Sequence, residues 1–250
     1  MTVKIAIAGA AGRMGQELIA EINRREGAIV SGTFDRASDA DLDVNQAFSG
    51  ADVVIDFTLP AATSHISAAA QAAGAAYVLG TTGHSVDQQA AIRATADHMA
   101  VLWAANFSLG VNVLLGLVER AAQALPADHF DLDIMEMHHS RKVDAPSGTA
   151  LALGQAAAAG RGQRLDQVAR YTREGGIGAR PRGEIGFATL RGGDNPGEHT
   201  VLLLGEGERI ELSHRALDRS IFAKGAVTAA LWLKGRPPGL YSMADVLAPN

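Results

Sequence analysis

The chain contains no cysteine. That excludes a disulfide framework, a thiolate metal site and a cysteine nucleophile, and with the last of these any semialdehyde dehydrogenase that works through a thiohemiacetal. A cytoplasmic location is expected. Aromatic residues are scarce, at 5%, yet 47% hydrophobic and 20% charged residues over 250 positions is globular rather than disordered composition. Positive charge is not in excess: 22 basic residues face 27 acidic ones, for a net charge of -5. No global field therefore exists to hold nucleic acid or an anionic membrane surface, and an anionic ligand must find local donors. The apolar stretches are alanine-rich and interrupted, and none reaches the roughly 20 residues that span a bilayer. The start passes straight into an apolar strand-like run, so no export signal is expected.

What is present is an alternation. Short apolar runs at 3–8, 29–34, 53–57, 77–80 and 99–104 are separated by helical patterns, the rhythm of a parallel sheet. Met14, Leu18 and Ile22 recur every four residues and predict a helix face that lies on that sheet. Residues 60–73 read as another helix, and a third starts at Ser85, where Gln88 completes a capping box. After Asn106 the pattern changes. A helix over 110–125 ends at Pro126, 131–138 reads as extended, and a helix starts near Ser147. Extended runs at 185–191, 200–204 and 209–214 follow, the last two joined by a glycine-rich hairpin signal at 205–208. Strands without intervening helices predict a second, antiparallel or mixed sheet, and residues 220–233 return to helix.

Two constellations carry chemistry. The first is Gly9, Ala10, Ala11, Gly12, Arg13, Met14 and Gly15 between the first strand and the first helix, with Asp35 closing the second strand twenty residues later. Glycines let the backbone approach a pyrophosphate, the helix start supplies free N–H groups, and the acid accepts hydrogen bonds from ribose hydroxyls. Arg13 and Arg36 flank the ribose end and can pair with a 2′-phosphate, so NADH and NADPH both remain open. Gly80, Thr81 and Thr82 follow the fourth strand, and Ala104, Ala105, Asn106 and Phe107 follow the fifth. Both segments lie at the carboxyl ends of strands, where open parallel sheets bind ligands.

The second constellation runs from Glu136 through His138, His139, Arg141, Lys142 and Asp144 to Ser147, Gly148 and Thr149. Histidine can deliver a proton near neutral pH, Lys142 can pair with a carboxylate, and amides at the helix start can cradle an anion. Small acids are the expected substrates. Adjacent strand side chains face opposite ways, so His138 and His139 do not chelate one ion, and no metal is expected. A cofactor-binding regulator would need the glycine turn but not this second cluster.

Together the residues at 9–15, 80–83, 104–108, 138–149 and 186–189 resemble the motifs of the dihydrodipicolinate reductase family, also called 4-hydroxy-tetrahydrodipicolinate reductase. The resemblance spans nearly the whole chain, and the stretch from Glu136 to Thr149 is its most specific part. It implies an α/β fold: a Rossmann-like parallel-sheet cofactor domain (1–108 and 219–250) and an inserted α+β substrate and oligomerisation domain with a mixed sheet (109–218). It implies NAD(P)H on Gly9, Ala10, Ala11, Gly12, Arg13, Met14, Asp35, Arg36, Gly80, Thr81, Thr82, Ala104, Ala105, Asn106 and Phe107. It places the substrate carboxylates on His139, Lys142, Ser147, Gly148 and Thr149, makes His138 the proton donor and Lys142 the second proton-transfer candidate, and implies a homotetramer. Some members carry an arginine where this chain has Leu59, a departure that weakens the case for NADPH. The activity implied is reduction of 4-hydroxy-tetrahydrodipicolinate in diaminopimelate and lysine biosynthesis.

Overall fold

A burial pattern with no exposed position marks β3 (Val53–Asp56) as a strand covered on both faces, and it sits in the middle of a six-stranded sheet. The computed structural model describes residues 1–35 and 43–248. The chain divides into two compact units, Met1–Leu109 with Ser220–Asn250, and Gly110–Arg219.

The first unit begins β1 (Val3–Ala8), α1 (Arg13–Arg24), β2 (Ala28–Phe34) and α2 (Val44–Phe48). After β3 come α3 (Thr63–Ala72), β4 (Ala76–Leu79), α4 (Val86–Thr95) and β5 (Ala100–Trp103). α1 forms where its four-residue apolar spacing predicts, and Leu18 and Ile22 are fully buried. α4 starts on the predicted capping box: Ser85 Oγ accepts from the Gln88 amide and Gln88 Oε1 accepts from the Ser85 amide. α3 starts three residues later than its composition suggests. Thr58 N–H donates to Asp56 Oδ1 at 2.8 Å, and residues 59–62 first close a turn, with Ala62 N–H on the Leu59 carbonyl.

The second unit contains most of α5 (Leu109–Ala124), which stops short of Pro126. It continues with β6 (Asp131–His138), α6 (Gly148–Gly160), α7 (Leu165–Val168), β7 (Ala169–Arg170), β8 (Ile185–Arg191), β9 (Gly197–Gly205) and β10 (Glu208–Ala216). Its sheet has the order β10-β9-β6-β8-β7 and is mixed: β6 pairs parallel with β8 and antiparallel with β9. The β9–β10 hairpin closes through Glu206 and Gly207, with Gly207 at φ +80°. Alternation along β6 buries Leu132, Ile134, Glu136 and His138 on one face. Leu132 and Ile134 pack with Leu114 and Val118 of α5 and Leu153 and Ala157 of α6. Glu136 and His138 are the polar continuation of that face.

The chain then returns to the first unit as α8 (Ser220–Leu233), β11 (Gly239–Tyr241) and α9 (Met243–Leu247). The first sheet is parallel throughout, in the order β11-β5-β4-β3-β1-β2. Strand order reverses between β1 and β3, so their carboxyl ends open a crevice. α1 and α8 cover one face, with Ile5, Ile7 and Val227 in that core, while α2, α3 and α4 cover the other around Phe48, Ile66 and Tyr77.

Close helix approach sets one firm expectation. A Cβ at Gly225 in α8 would lie 1.7 Å from the Phe107 carbonyl oxygen, so Gly225→Ala forces backbone to move. It is expected to destabilise the protein by on the order of 3 kcal/mol in urea unfolding, and a change within about 0.5 kcal/mol would contradict the packing described.

Candidate active site

The glycine turn after β1 sits at the crevice. Gly9 has φ +81°, a conformation open to glycine, and a Cβ at Gly15 would lie 2.2 Å from the Gly9 carbonyl oxygen. These two glycines let α1 start directly beneath the turn. Gly12 caps α1 without a side-chain acceptor, so the first-turn amides of Arg13 and Met14 meet no capping oxygen. Asp35, just past β2, accepts a hydrogen bond from the Ala11 amide at 2.9 Å and so braces the turn from the side. A cleft of about 580 Å³ is lined by Gly9, Gly12, Asp35, Thr58, Leu59 and His65 among others. An anion at the helix start and a ribose beside Asp35 fit this cleft. Arg36 lies outside the described residues.

The segments after β4 and β5 divide. Thr81 is buried and its Oγ1 donates to Asp56 Oδ1 at 3.3 Å; Gly80 is required because a Cβ there would lie 2.3 Å from the Phe57 ring. Thr82 and Ala105 are exposed, and Ala104 and Asn106 are half-buried. Asn106 Oδ1 accepts from the Ser108 amide. Phe107 is buried in the core against Phe57, with ring centroids 5.3 Å apart, so its ring is a packing group.

In the second unit the sheet register lines up Thr189, Glu136 and His199 across β8, β6 and β9, with Arg191 beside His138 in the next row. Glu136 is 1% exposed and surrounded by donors. Arg191 Nη1 donates to its Oε2 at 2.9 Å and Nη2 to its Oε1 at 2.8 Å, a two-pronged pair. The Ser147 amide (3.1 Å) and Thr189 Oγ1 (3.3 Å) also donate to Oε1, and His138 Nδ1 lies 2.5 Å from Oε2. Burial alone would raise the Glu136 carboxyl; the bonds from Arg191, His138 and Ser147 outweigh it and hold the group below its ordinary value. Glu136 is therefore ionised and accepts only, which places a proton on His138 Nδ1.

Burial lowers His138, and Lys142 and Arg191 add to that against the pull of Glu136, leaving it below the ordinary histidine value. His139 faces the other way: its Nε2 lies 3.3 Å from Arg219 Nη2 and its amide donates to the Asn195 carbonyl. Lys142 is paired with Asp144 at 2.8 Å. Asp144 is half exposed, so this pair is worth at most about 1 kcal/mol, and a carboxylate ligand can displace it.

Ser147 departs from expectation. Its amide is taken by Glu136, and its hydroxyl accepts from the Ala150 amide at 3.1 Å and shares a hydrogen bond with His199 Nε2 at 3.0 Å. It belongs to the wall of the site, and Gly148 and Thr149 follow it in the first turn of α6. A Cβ at Gly148 would meet nothing within 4 Å. Glu136, His138 and His199 bring a carboxylate oxygen and two ring nitrogens within 4.8 Å of one another, a spacing a cation can use. Arg191 already supplies the positive charge this carboxylate demands, so the donor set does not fit a metal.

Comparison with known proteins bears on both units. The family model "Dihydrodipicolinate reductase, N-terminus" matches residues 3–107 and "Dihydrodipicolinate reductase, C-terminus" matches residues 110–247. The chain belongs to the dihydrodipicolinate reductase family. It is 51% identical to a 4-hydroxy-tetrahydrodipicolinate reductase of Mesorhizobium japonicum, over 97% of this chain and 96% of that one. It is 50% identical to that of Caulobacter vibrioides, over 98% and 97%. Among solved structures, the dipicolinate-bound dihydrodipicolinate reductase of Paenisporosarcina sp. TG-14 shares the fold, with a TM-score of 0.77, 23% identity and coverage of 97% and 98%.

In the second unit the local sequence pattern marks His138 and the loop that follows it and includes Thr189 in a family motif, but it assigns no place in the site to Arg191, His199 or Arg219. Each arrives from a distant segment, and the usable signal was a polar pair, Glu136 and His138, on the buried face of an alternating strand. Asp56 and Tyr77 were also missed. Asp56 is fully buried; it accepts from Tyr77 Oη at 2.5 Å and from Thr58 Oγ1 at 2.7 Å, tying together the turns after β3 and β4. Burial and the Asp56 charge push the Tyr77 phenol well above its usual value.

His199 supplies a stability test. Burial, then the neighbouring His138, push it from 6.5 down to about 4. The unfolded chain binds the extra proton in that window, so the contribution is complete above pH 6.5 and is lost as pH falls toward 4. The urea midpoint is expected to drop between pH 7 and pH 4.5 by less in His199→Gln than in the unaltered protein. Equal drops would contradict a neutral His199.

Proposed function

We propose that this chain reduces 4-hydroxy-tetrahydrodipicolinate to tetrahydrodipicolinate with NAD(P)H, in the diaminopimelate and lysine pathway. The observation that carries this reading is a single short segment, β6 to the start of α6, that presents an oriented imidazole, a lysine and a helix start together. The residues of the first unit suit a nicotinamide dinucleotide: Gly9 and Gly15 allow close backbone approach, the first turn of α1 faces the pyrophosphate, and Asp35 faces the ribose. Both NADH and NADPH fit. Asp35 favours free ribose hydroxyls, and Arg36 is the cation able to meet a 2′-phosphate.

Loss of the 4-hydroxyl as water gives the unsaturated ring, and reduced nicotinamide, when bound, would supply hydride to an electron-poor carbon of that cyclic dicarboxylate. The protein supplies charge, orientation and a proton. Lys142 and the amides of Gly148 and Thr149 hold the carboxylates that a net-negative protein would otherwise repel, with His139 alongside. His138 donates from Nε2 to the neighbouring carbon as the ring is reduced, and Lys142 is the second proton-transfer group. Two bound carboxylates raise the affinity of His138 for its proton, offsetting the burial that lowers it.

Met135 and Leu190 are about 42% and 45% exposed on the sheet face turned away from α5 and α6. These exposed apolar side chains, beside the Asp133 pairs with Arg173 and Arg180, support assembly through this sheet, as a homotetramer. No helix among the described residues is long and apolar enough to cross a membrane, and the net charge of -5 supports a small-molecule rather than a nucleic-acid partner.

The test generates the unstable substrate in place from pyruvate and aspartate semialdehyde with the preceding synthase, and follows NADH and NADPH absorbance. Substrate-dependent oxidation is expected, absent without this protein. His138→Gln should lower kcat by about 100-fold or more with the KM for the nicotinamide carrier unchanged, and Lys142→Ala should raise the substrate KM by roughly ten- to hundredfold. Carrier binding without oxidation would overturn the assignment.

A further inference from the structure

We propose that Glu136 is a positioning residue for the reduction: one buried carboxylate holds His138 in the tautomer that donates from Nε2 and, through its other oxygen, anchors the first turn of α6. The inference rests on the reading of His138 as proton donor.

The geometry divides the carboxylate between two tasks. Oε2 lies 2.5 Å from His138 Nδ1, which fixes the ring and leaves Nε2 as the nitrogen for exchange. A Cβ at position 197 would lie 2.8 Å from that Nε2, so Gly197 keeps the space in front of it open. Oε1 accepts the Ser147 amide, and Ser147 is the N-cap of α6. The imidazole and the helix start are thus set against each other by the span of one carboxylate. Arg191, a permanent cation, grips both oxygens and is itself held by the Asp144 carbonyl at 2.7 Å. Glu136 cannot rotate to serve one task without breaking the other.

The charged and titratable groups around His138 are Glu136 on its own strand, Arg191 from β8, His199 from β9 and Lys142 from the loop after β6. Glu136 is the one anion among them, and it stabilises the imidazolium that must form before each turnover. In the transfer, the Nε2–H bond breaks, its electron pair stays on nitrogen, and a C–H bond forms at the ring carbon beside the one receiving hydride. The Nδ1–H bond to Glu136 persists throughout, Glu136 takes no proton, and water reprotonates Nε2 afterwards.

Glu136→Gln keeps the shape and removes the charge. It is expected to lower kcat about 100-fold, to leave the KM for the nicotinamide carrier unchanged, and to move the His138 limb of the kcat/KM profile to lower pH. Glu136→Asp retains the charge and should restore the position of that limb. Unaltered kcat and limb in Glu136→Gln, with His138→Gln inactive, would overturn this inference alone; full activity in His138→Gln would remove the proton-donor reading and this inference with it. If Glu136→Gln fails to fold, nitrogen-15 NMR of the histidine rings in the unaltered protein decides. Taking the His138 signal as the one missing in His138→Gln, Nδ1 protonated with Nε2 titrating supports the inference, and the reverse tautomer contradicts it.

Discussion

The ion pair between Glu136 and Arg191 is the constraint on which the second unit is organised. An ionised carboxylate with 1% of its surface exposed is strongly unfavourable unless donors replace the water it has lost. Here two guanidinium nitrogens, one amide, one hydroxyl and one imidazole do so. The donors come from three places: β8, the start of α6, and β6 itself. Satisfying one side chain therefore sets the alignment of β6 with β8, the entry angle of α6 and the orientation of His138 at once. Removing Arg191 alone would leave an unpaired buried charge, an effect of about 3–5 kcal/mol. The site is stable because it is a structural knot as well as a chemical one.

The first unit repeats this solution with different partners. Asp56, at the end of β3, is buried with no cationic partner among the described residues and is satisfied by the Tyr77 phenol, two donors of Thr58 and the Thr81 hydroxyl. The two turns it joins flank the crevice at the reversal of strand order. In both units a buried acid on a strand fixes the loop segments beside it: the turn holding Gly80 and Thr82 in one case, the start of α6 at Ser147 and Gly148 in the other. Lys142 differs, held by an exposed partner that a substrate carboxylate can replace.

Much of this was legible because the signals are local. Alternation along β6, the Ser147 cap, the Ser85 capping box and the spacing of Met14, Leu18 and Ile22 each need only neighbours in the chain, and each stands where it was expected. β11 has three residues and α2 five, too few for a period to show. The partners of Glu136 were illegible for a different reason. Arg191 lies 55 residues away and reaches it through a parallel pairing that no short pattern encodes. The same non-locality reassigns Ser147, whose amide looks free in a helix-start motif until Glu136 arrives beneath it. Within the segment after β5 read as a cofactor contact, the Phe107 ring packs in the core because Phe57 and α8 close over it.

The most direct test of the central claim is a crystal structure of the protein with pyridine-2,6-dicarboxylate and oxidised nicotinamide dinucleotide bound together. The account predicts one carboxylate on the Gly148 and Thr149 amides, Lys142 transferred from Asp144 to the ligand, the ring edge before His138 Nε2, and both bonds of Arg191 to Glu136 intact. A ligand carboxylate held by the Arg191 guanidinium, with Glu136 released, would contradict it.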